Sequence, residues 1–219
     1  MFVQPSAYGR DNSCMLDAMR EVPGSRGIVD IDENLPEREL GPLHAAGVRG
    51  VRINVSPVHP PEAGLGASLL PRIRRLEARC AELGWHLDFL LPGWLTEELF
   101  ETLTLLKVDF TLAHFGMFRP SQGPAGLLDL IRNSRGWIKL TGVYRMSSAP
   151  GFADVAPMAC ALVEAAPDRL IWGSDYPHLS FADRVGSVEL FNLLGSWANE
   201  DARRRILVDN PGKLFGFQP

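Results

Sequence analysis

One carboxylate and one imidazole close the segment Leu170-Ile171-Trp172-Gly173-Ser174-Asp175-Tyr176-Pro177-His178. A parallel strand keeps ionisable groups out of its buried run, so an Asp where such a run stops is a candidate catalytic group. There Asp175 can serve as a general base on water or as a metal ligand; its plainer role is to cap the segment after Pro177. His178 can touch a substrate or simply hold its loop. His114 closes a second apolar run, Phe110-Thr111-Leu112-Ala113-His114. Strict alternation puts it on one face with Phe110 and Leu112. It is the second catalytic candidate, set against the common role of a satisfied core histidine.

Cations come next. Arg49 and Arg52 have opposite parity in Val48-Arg49-Gly50-Val51-Arg52-Ile53-Asn54, so they face opposite sides of a strand. An inward guanidinium must meet an anion. Arg52, nearer the C-terminal end, is the expected one. Arg145, in Gly142-Val143-Tyr144-Arg145, offers the planar fork that suits a substrate carboxylate, or else is a solvated loop cation. Lys139 shares the parity of Thr141 and can also point inward. Ser6 and Tyr8 can hydrogen-bond a substrate carboxylate, although Ser6 equally fits an ordinary turn. There is no nucleophile elbow, P-loop or zinc-type cysteine spacing. His59 reads as a loop residue, and His44 and His86 as structural.

Positioning these groups requires a regular scaffold, and the chain alternates strand-like and helix-like segments. Strands are predicted at Phe2–Pro5, Arg26–Ile31, Val48–Asn54, Trp85–Leu91, Phe110–His114, Trp137–Thr141 and Leu170–Ser174. Helices are predicted from an Asn12 cap to Val22, from Pro36 to Gly47, and over Leu65–Leu83 with Gly84 as the left-handed stop. Others run from a Thr96 cap to Lys107, and over Pro124–Ser134, Phe152–Ala166, Arg184–Trp197 and Glu200–Val208. No composition break or low-complexity linker appears, so residues 1–219 read as a single domain.

The alternation predicts an α/β fold with a parallel sheet and right-handed crossovers. A doubly wound sheet usually shows a glycine fingerprint after its first strand, and Pro5-Ser6-Ala7-Tyr8-Gly9 has none. A (β/α)8 TIM barrel instead collects polar residues at the C-terminal ends of many strands. Ser6, Asp30, Asp32, Asn54, His114, Thr141 and Asp175 all sit at such ends, so the barrel is favoured. It needs eight strands and about 250 residues, whereas seven strands are visible here. The expectation is that a first β/α unit is missing before Met1. An opened barrel has two exposed edges, which favours pairing with another chain and is compatible with a homo-oligomer.

Bulk properties narrow the function. Of the 219 residues 46% are hydrophobic, enough for a large core, and the formal net charge of −4 argues against a nucleic-acid partner. No apolar run reaches about 18 residues, and no secretory signal is visible, so neither a membrane nor export is expected. The three cysteines, Cys14, Cys80 and Cys160, are few and far apart. They read as small helical core residues in a reducing cytoplasm.

With those residues in place, the chain resembles the amidohydrolase superfamily, in the branch of 2-pyrone-4,6-dicarboxylate lactonases. The resemblance spans nearly the whole chain. It rests on Val3-Gln4-Pro5-Ser6-Ala7-Tyr8-Gly9-Arg10-Asp11-Asn12, Gly50-Val51-Arg52-Ile53-Asn54, Ala113-His114-Phe115-Gly116 and Lys139-Leu140-Thr141-Gly142. Trp172-Gly173-Ser174-Asp175-Tyr176-Pro177-His178, followed by Asp209-Asn210-Pro211-Gly212-Lys213-Leu214-Phe215-Gly216-Phe217, makes it specific.

The resemblance implies a TIM barrel of amidohydrolase type that hydrolyses a carboxylate-bearing lactone. Asp175 would activate water and His114 would polarise the scissile carbonyl. Arg52 and Arg145 would hold substrate carboxylates with help from Ser6. The lactonase branch works without a metal or other cofactor. Two features depart from the pattern. The family's His-x-His pair belongs to the strand that is missing, and no arginine occurs in Val55-Ser56-Pro57-Val58-His59 after the third visible strand. Two alternatives therefore stand beside the lactonase. One is a metal-dependent decarboxylase or hydrolase using a divalent ion such as zinc, with the His-x-His strand restored. The other is a remnant without turnover that binds small anions or a partner chain.

Overall fold

Strands with apolar residues at both parities need cover on both faces. The computed structural model describes residues 1–217 and supplies that cover. Seven parallel strands form one sheet in chain order. They are β1 (Phe2–Val3), β2 (Gly27–Val29), β3 (Val48–Asn54), β4 (His86–Leu90), β5 (Phe110–Leu112), β6 (Gly136–Leu140) and β7 (Leu170–Trp172). The helices are α1 (Ser13–Glu21), α2 (Glu37–Ala45), α3 (Leu65–Leu83), α4 (Gly93–Glu98), α5 (Phe100–Leu105), α6 (Ala125–Asn133), α7 (Ala156–Ala165), α8 (Ser187–Trp197), α9 (Glu200–Arg204) and α10 (Asn210–Phe215). A π-helical stretch, Arg205–Asp209, joins α9 to α10. Among the described residues no helix is long and apolar enough to cross a membrane.

The outer parity of the sheet makes the main core. Phe89 of β4 and Phe110 of β5 meet edge to face and join the buried stripe Ile73, Leu76 and Cys80 of α3 in one cluster. The inner parity is different. It carries Arg52, His86, Asp88, Thr111, Trp137 and Lys139, all buried. At the N-terminal rim, Trp137, Ile171 and Phe215 of α10 form a separate apolar floor. His86 of β4 packs on Phe215, with ring centroids 5.2 Å apart. Its ring lies so close to Gly50 of β3 that a Cβ there would stand 2.5 Å from Cε1.

This floor shows how far the sheet curls. In a flat sheet β2 and β7 would lie about 24 Å apart, five strand spacings. Yet α10, packed on β7, is followed by Gly216, whose carbonyl accepts from Arg26 Nη2 just before β2 at 2.9 Å. Arg26 also lies over the Phe217 ring. The molecule is thus an α/β barrel-type sheet of seven strands, with β1 and β7 at its two ends and one strand fewer than eight.

Several expectations need correction. Strands β1, β2, β5 and β7 each end two residues earlier than predicted. Thr96 does not cap a helix. It lies inside α4, where its hydroxyl donates to the Gly116 carbonyl at 3.1 Å, and the predicted single helix breaks at Leu99 into α4 and α5. The helix predicted from Phe152 starts at Ala156, after a 3-10 turn. All three cysteines are helical, but only Cys80 is core; Cys14 and Cys160 lie on the solvent side of α1 and α7. Burial pushes the Cys80 thiol up to about 12. Helix α10 was not predicted.

Candidate active site

Above the apolar floor the interior becomes ionic. Asp88 of β4 is fully buried and accepts hydrogen bonds from Arg52 Nε (2.9 Å), Thr111 Oγ1 (2.5 Å) and Lys139 Nζ. Arg52 also donates from Nη1 to the Gln4 carbonyl at 2.9 Å. Burial alone would raise the Asp88 carboxyl, but the Lys139 and Arg52 charges and the hydrogen bonds outweigh it and hold it far below the usual range. So Arg52 does point inward and meets an anion, and that anion is the protein's own.

The C-terminal rim carries the second cluster. After β7 the chain turns sharply, with Asp175 at φ 57°, and after β5 it turns again with His114 at φ 52°. Both candidate catalytic side chains thus sit on left-handed backbone, which non-glycine residues seldom adopt and which recurs at functional sites. At His114 the turn also breaks the strand's parity. Thr111, not Phe110 or Leu112, is the β5 side chain that faces inward; those two pack outward against helices. Unbroken alternation would have sent His114 outward. The left-handed turn brings its Nε2 to 3.9 Å from Asp175 Oδ2.

Asp175 Oδ2 is held from two sides, by the Tyr144 hydroxyl at 2.5 Å and by Arg145 Nε at 3.0 Å. Among the described residues nothing hydrogen-bonds Oδ1. The 3-10 turn Val143–Arg145 that follows β6 delivers both donors. Arg145 also lies over the rings of Tyr144 and Phe181. Burial would raise the Asp175 carboxyl, but His114, Tyr144 and Arg145 together hold it below its ordinary value. Burial pushes His114 down to about 4, against the pull of Asp175. The Tyr144 hydroxyl is raised by burial and by the carboxylate it serves.

The structure thus brings Asp175, His114 and Arg145 together, and places Arg52 one layer below. His178 lies behind Tyr144, edge to face at 5.9 Å, with Nε2 hydrogen-bonded to Ser187 Oγ at 3.1 Å. Ser6 Oγ, at the end of β1, accepts from Asn54 Nδ2 at 2.6 Å. Tyr8 is about half exposed and joins neither cluster. Sequence reasoning overlooked Asp88 and Tyr144. Asp88 had a signal: a lone acid inside the apolar run of β4, beside a strand whose inward arginine needed an anion. Tyr144, in an irregular turn, had none.

A curled parallel sheet with its polar groups converging at the C-terminal mouth defines a barrel protein whose site is built from strand ends. The family model for amidohydrolases matches residues 2–217. The chain belongs to the amidohydrolase family. It is 37% identical over 225 residues to 4-sulfomuconolactone hydrolase of Hydrogenophaga intermedia, covering 98% of this chain and 73% of that protein. It is 29% identical to a 2-pyrone-4,6-dicarboxylate hydrolase of Comamonas testosteroni, covering 97% and 74%. The apo crystal structure of an Agrobacterium tumefaciens protein superimposes with a TM-score of 0.85 at 30% identity, covering 99% of this chain and 79% of the other.

Relatives of this fold raise the question of a metal. Among the described residues no group of three or more His, Cys, Asp or Glu side chains could hold one. His114 and Asp175 offer two donors, and the Arg145 cation already lies on the carboxylate. This donor set does not fit a divalent cation.

The two buried imidazoles set a pH limit on stability. His86 and His114 are both pushed by burial from 6.5 to about 4. A depressed folded value means the unfolded chain binds protons first as pH falls. The stability that each neutral ring preserves is present above pH 6.5 and is lost as pH falls through 4. Each contributes up to roughly 3 kcal/mol over that window. Urea unfolding at pH 7 and pH 5 is expected to show the loss, with a shallower pH dependence in His86→Phe. Equal slopes for the two proteins would remove His86 as a source.

Proposed function

We propose that this chain is an enzyme that hydrolyses a lactone or related cyclic ester carrying carboxylate or similar acidic groups. The observation that carries the reading is the Asp175 carboxylate, anchored through Oδ2 and open at Oδ1. Oδ1 takes a proton from water as the water oxygen bonds to the lactone carbonyl carbon. Negative charge then develops on the carbonyl oxygen, where the buried neutral His114 and the nearby cations favour it. Collapse breaks the bond to the ring oxygen, and the proton held on Asp175 passes to that oxygen. The sum is lactone plus water to hydroxy acid.

Charge supports an anionic substrate. Within the two clusters around Asp88 and Asp175, three cations, Arg52, Lys139 and Arg145, stand against those two carboxylates. Relatives named for sulfomuconolactone and pyrone dicarboxylate hydrolysis point the same way. Because no arginine follows β3 in Val55–His59, a differently or less charged substrate than the pyrone dicarboxylate is the better fit. The free cysteines fit a reducing cytoplasm.

Acid release from lactones bearing zero, one and two acidic groups tests the reading. At least about tenfold higher kcat/KM is expected for an anionic lactone than for its neutral analogue, since a charge-assisted contact is worth a kcal/mol or more. A chelator is expected to leave turnover unchanged. Turnover lost on chelation and restored by zinc would sink the metal-free mechanism.

A further inference from the structure

Thr141 follows β6 and lies beside His114. Its Oγ1 is 2.8 Å from His114 Nδ1 and accepts the His114 backbone N–H at 3.2 Å. Both residues are buried. Gly142, with φ +60°, makes the approach possible, because any Cβ there would collide with the same imidazole. We infer that Thr141 is a positioning residue whose hydroxyl fixes His114 as the Nε2–H tautomer, so that an N–H rather than a lone pair faces Asp175 and the reacting carbonyl. The inference rests on the site reading above.

Two arguments converge on that tautomer. Among the described residues, Thr141 Oγ1 hydrogen-bonds only His114. With the backbone N–H already donating to it, the hydroxyl proton has one acceptor left, Nδ1. The opposite assignment puts two donors on Oγ1 and strands a buried hydroxyl proton, at a cost that burial makes substantial. Second, Nε2 is the ring nitrogen that approaches the Asp175 carboxylate, at 3.9 Å. A bare lone pair there would repel the carboxylate, whereas an N–H is attracted to it. The consequence for chemistry is direct. A neutral ring with its proton on Nε2 can donate to a developing oxyanion, and the other tautomer cannot.

His86 supplies an internal reference. Its Nδ1 is 2.7 Å from the Arg49 carbonyl, which can only accept, so His86 must be the Nδ1–H form. Nitrogen-15 histidine correlation spectra at pH 7.5 separate the two patterns, with His114 assigned by the loss of its signals in His114→Gln. Wild type is expected to show His114 protonated on Nε2 and His86 on Nδ1. Thr141→Val is expected to move the His114 Nδ1 resonance to that of an imidazole nitrogen accepting no hydrogen bond while His86 stays unchanged, and Thr141→Ser to restore it. On any lactone turned over, Thr141→Val is expected to lower kcat roughly 10- to 100-fold with little change in KM, and Thr141→Ser to recover it. A wild-type His114 carrying its proton on Nδ1, or a Thr141→Val spectrum identical to wild type, overturns the inference. The spectra decide it without turnover. A tautomer pattern as expected with every lactone untouched would count against the lactonase and leave the role of Thr141 supported.

Discussion

Replacing Asp175 by asparagine is expected to lower kcat on the preferred lactone by about 10³- to 10⁴-fold while leaving the chain folded. The amide is nearly the same size, and one of its atoms can still accept from Tyr144 and Arg145, which hold Oδ2 in the native rim. What it cannot do is take a proton from water at the position of Oδ1. The loss should therefore fall on kcat rather than KM. Circular dichroism and a thermal melt separate a lost base from a lost fold. A folded Asp175→Asn protein that retains wild-type turnover would require a different base.

The second large effect lies one layer down and concerns stability. Asp88→Ala is expected to destabilise the chain by about 3–5 kcal/mol, because it leaves the Lys139 ammonium and the Arg52 guanidinium in the interior without their shared carboxylate. Urea unfolding measures it. The sharper version pairs this change with Lys139→Met. If the damage comes from a stranded cation, the double variant should be more stable than Asp88→Ala alone, with a coupling well outside the error of additivity. Strictly additive losses would show instead that Asp88 matters only through packing.

The contrast between these two residues explains what the sequence made legible. Asp175 and His114 stand where apolar runs stop, and a strand terminus is a local signal. Arg145 announced itself as a cation just beyond another such terminus. Strand β3 and helix α3 were predicted to the residue, since Asn54 and Gly84 end them with unambiguous chemistry. Asp88 is a different case. Its role depends on three other strands: Arg52 and Thr111 stand opposite it in register on β3 and β5, Lys139 reaches it from β6, and β4 by itself shows neither that order nor that register. Tyr144 owes its place to a 3-10 turn with no periodicity to read. The parity assigned to His114 failed because a left-handed turn after Ala113 reverses the face, and the alternation of the apolar run before it carries no sign of that turn.

The apolar floor has a consequence for the order in which the molecule can assemble. Arg26 and Gly216 are joined across 190 positions of chain. Phe215 reaches back to His86 in β4 and to Ile171 in β7. Contacts of such separation carry the largest loop-closure entropy and are made late. The neighbouring strands β3 to β6 pair over short distances and can zip up early. On the ribosome, His86 and Trp137 must therefore wait uncovered at the bottom of a half-built interior until α10 emerges to seat Phe215 against them.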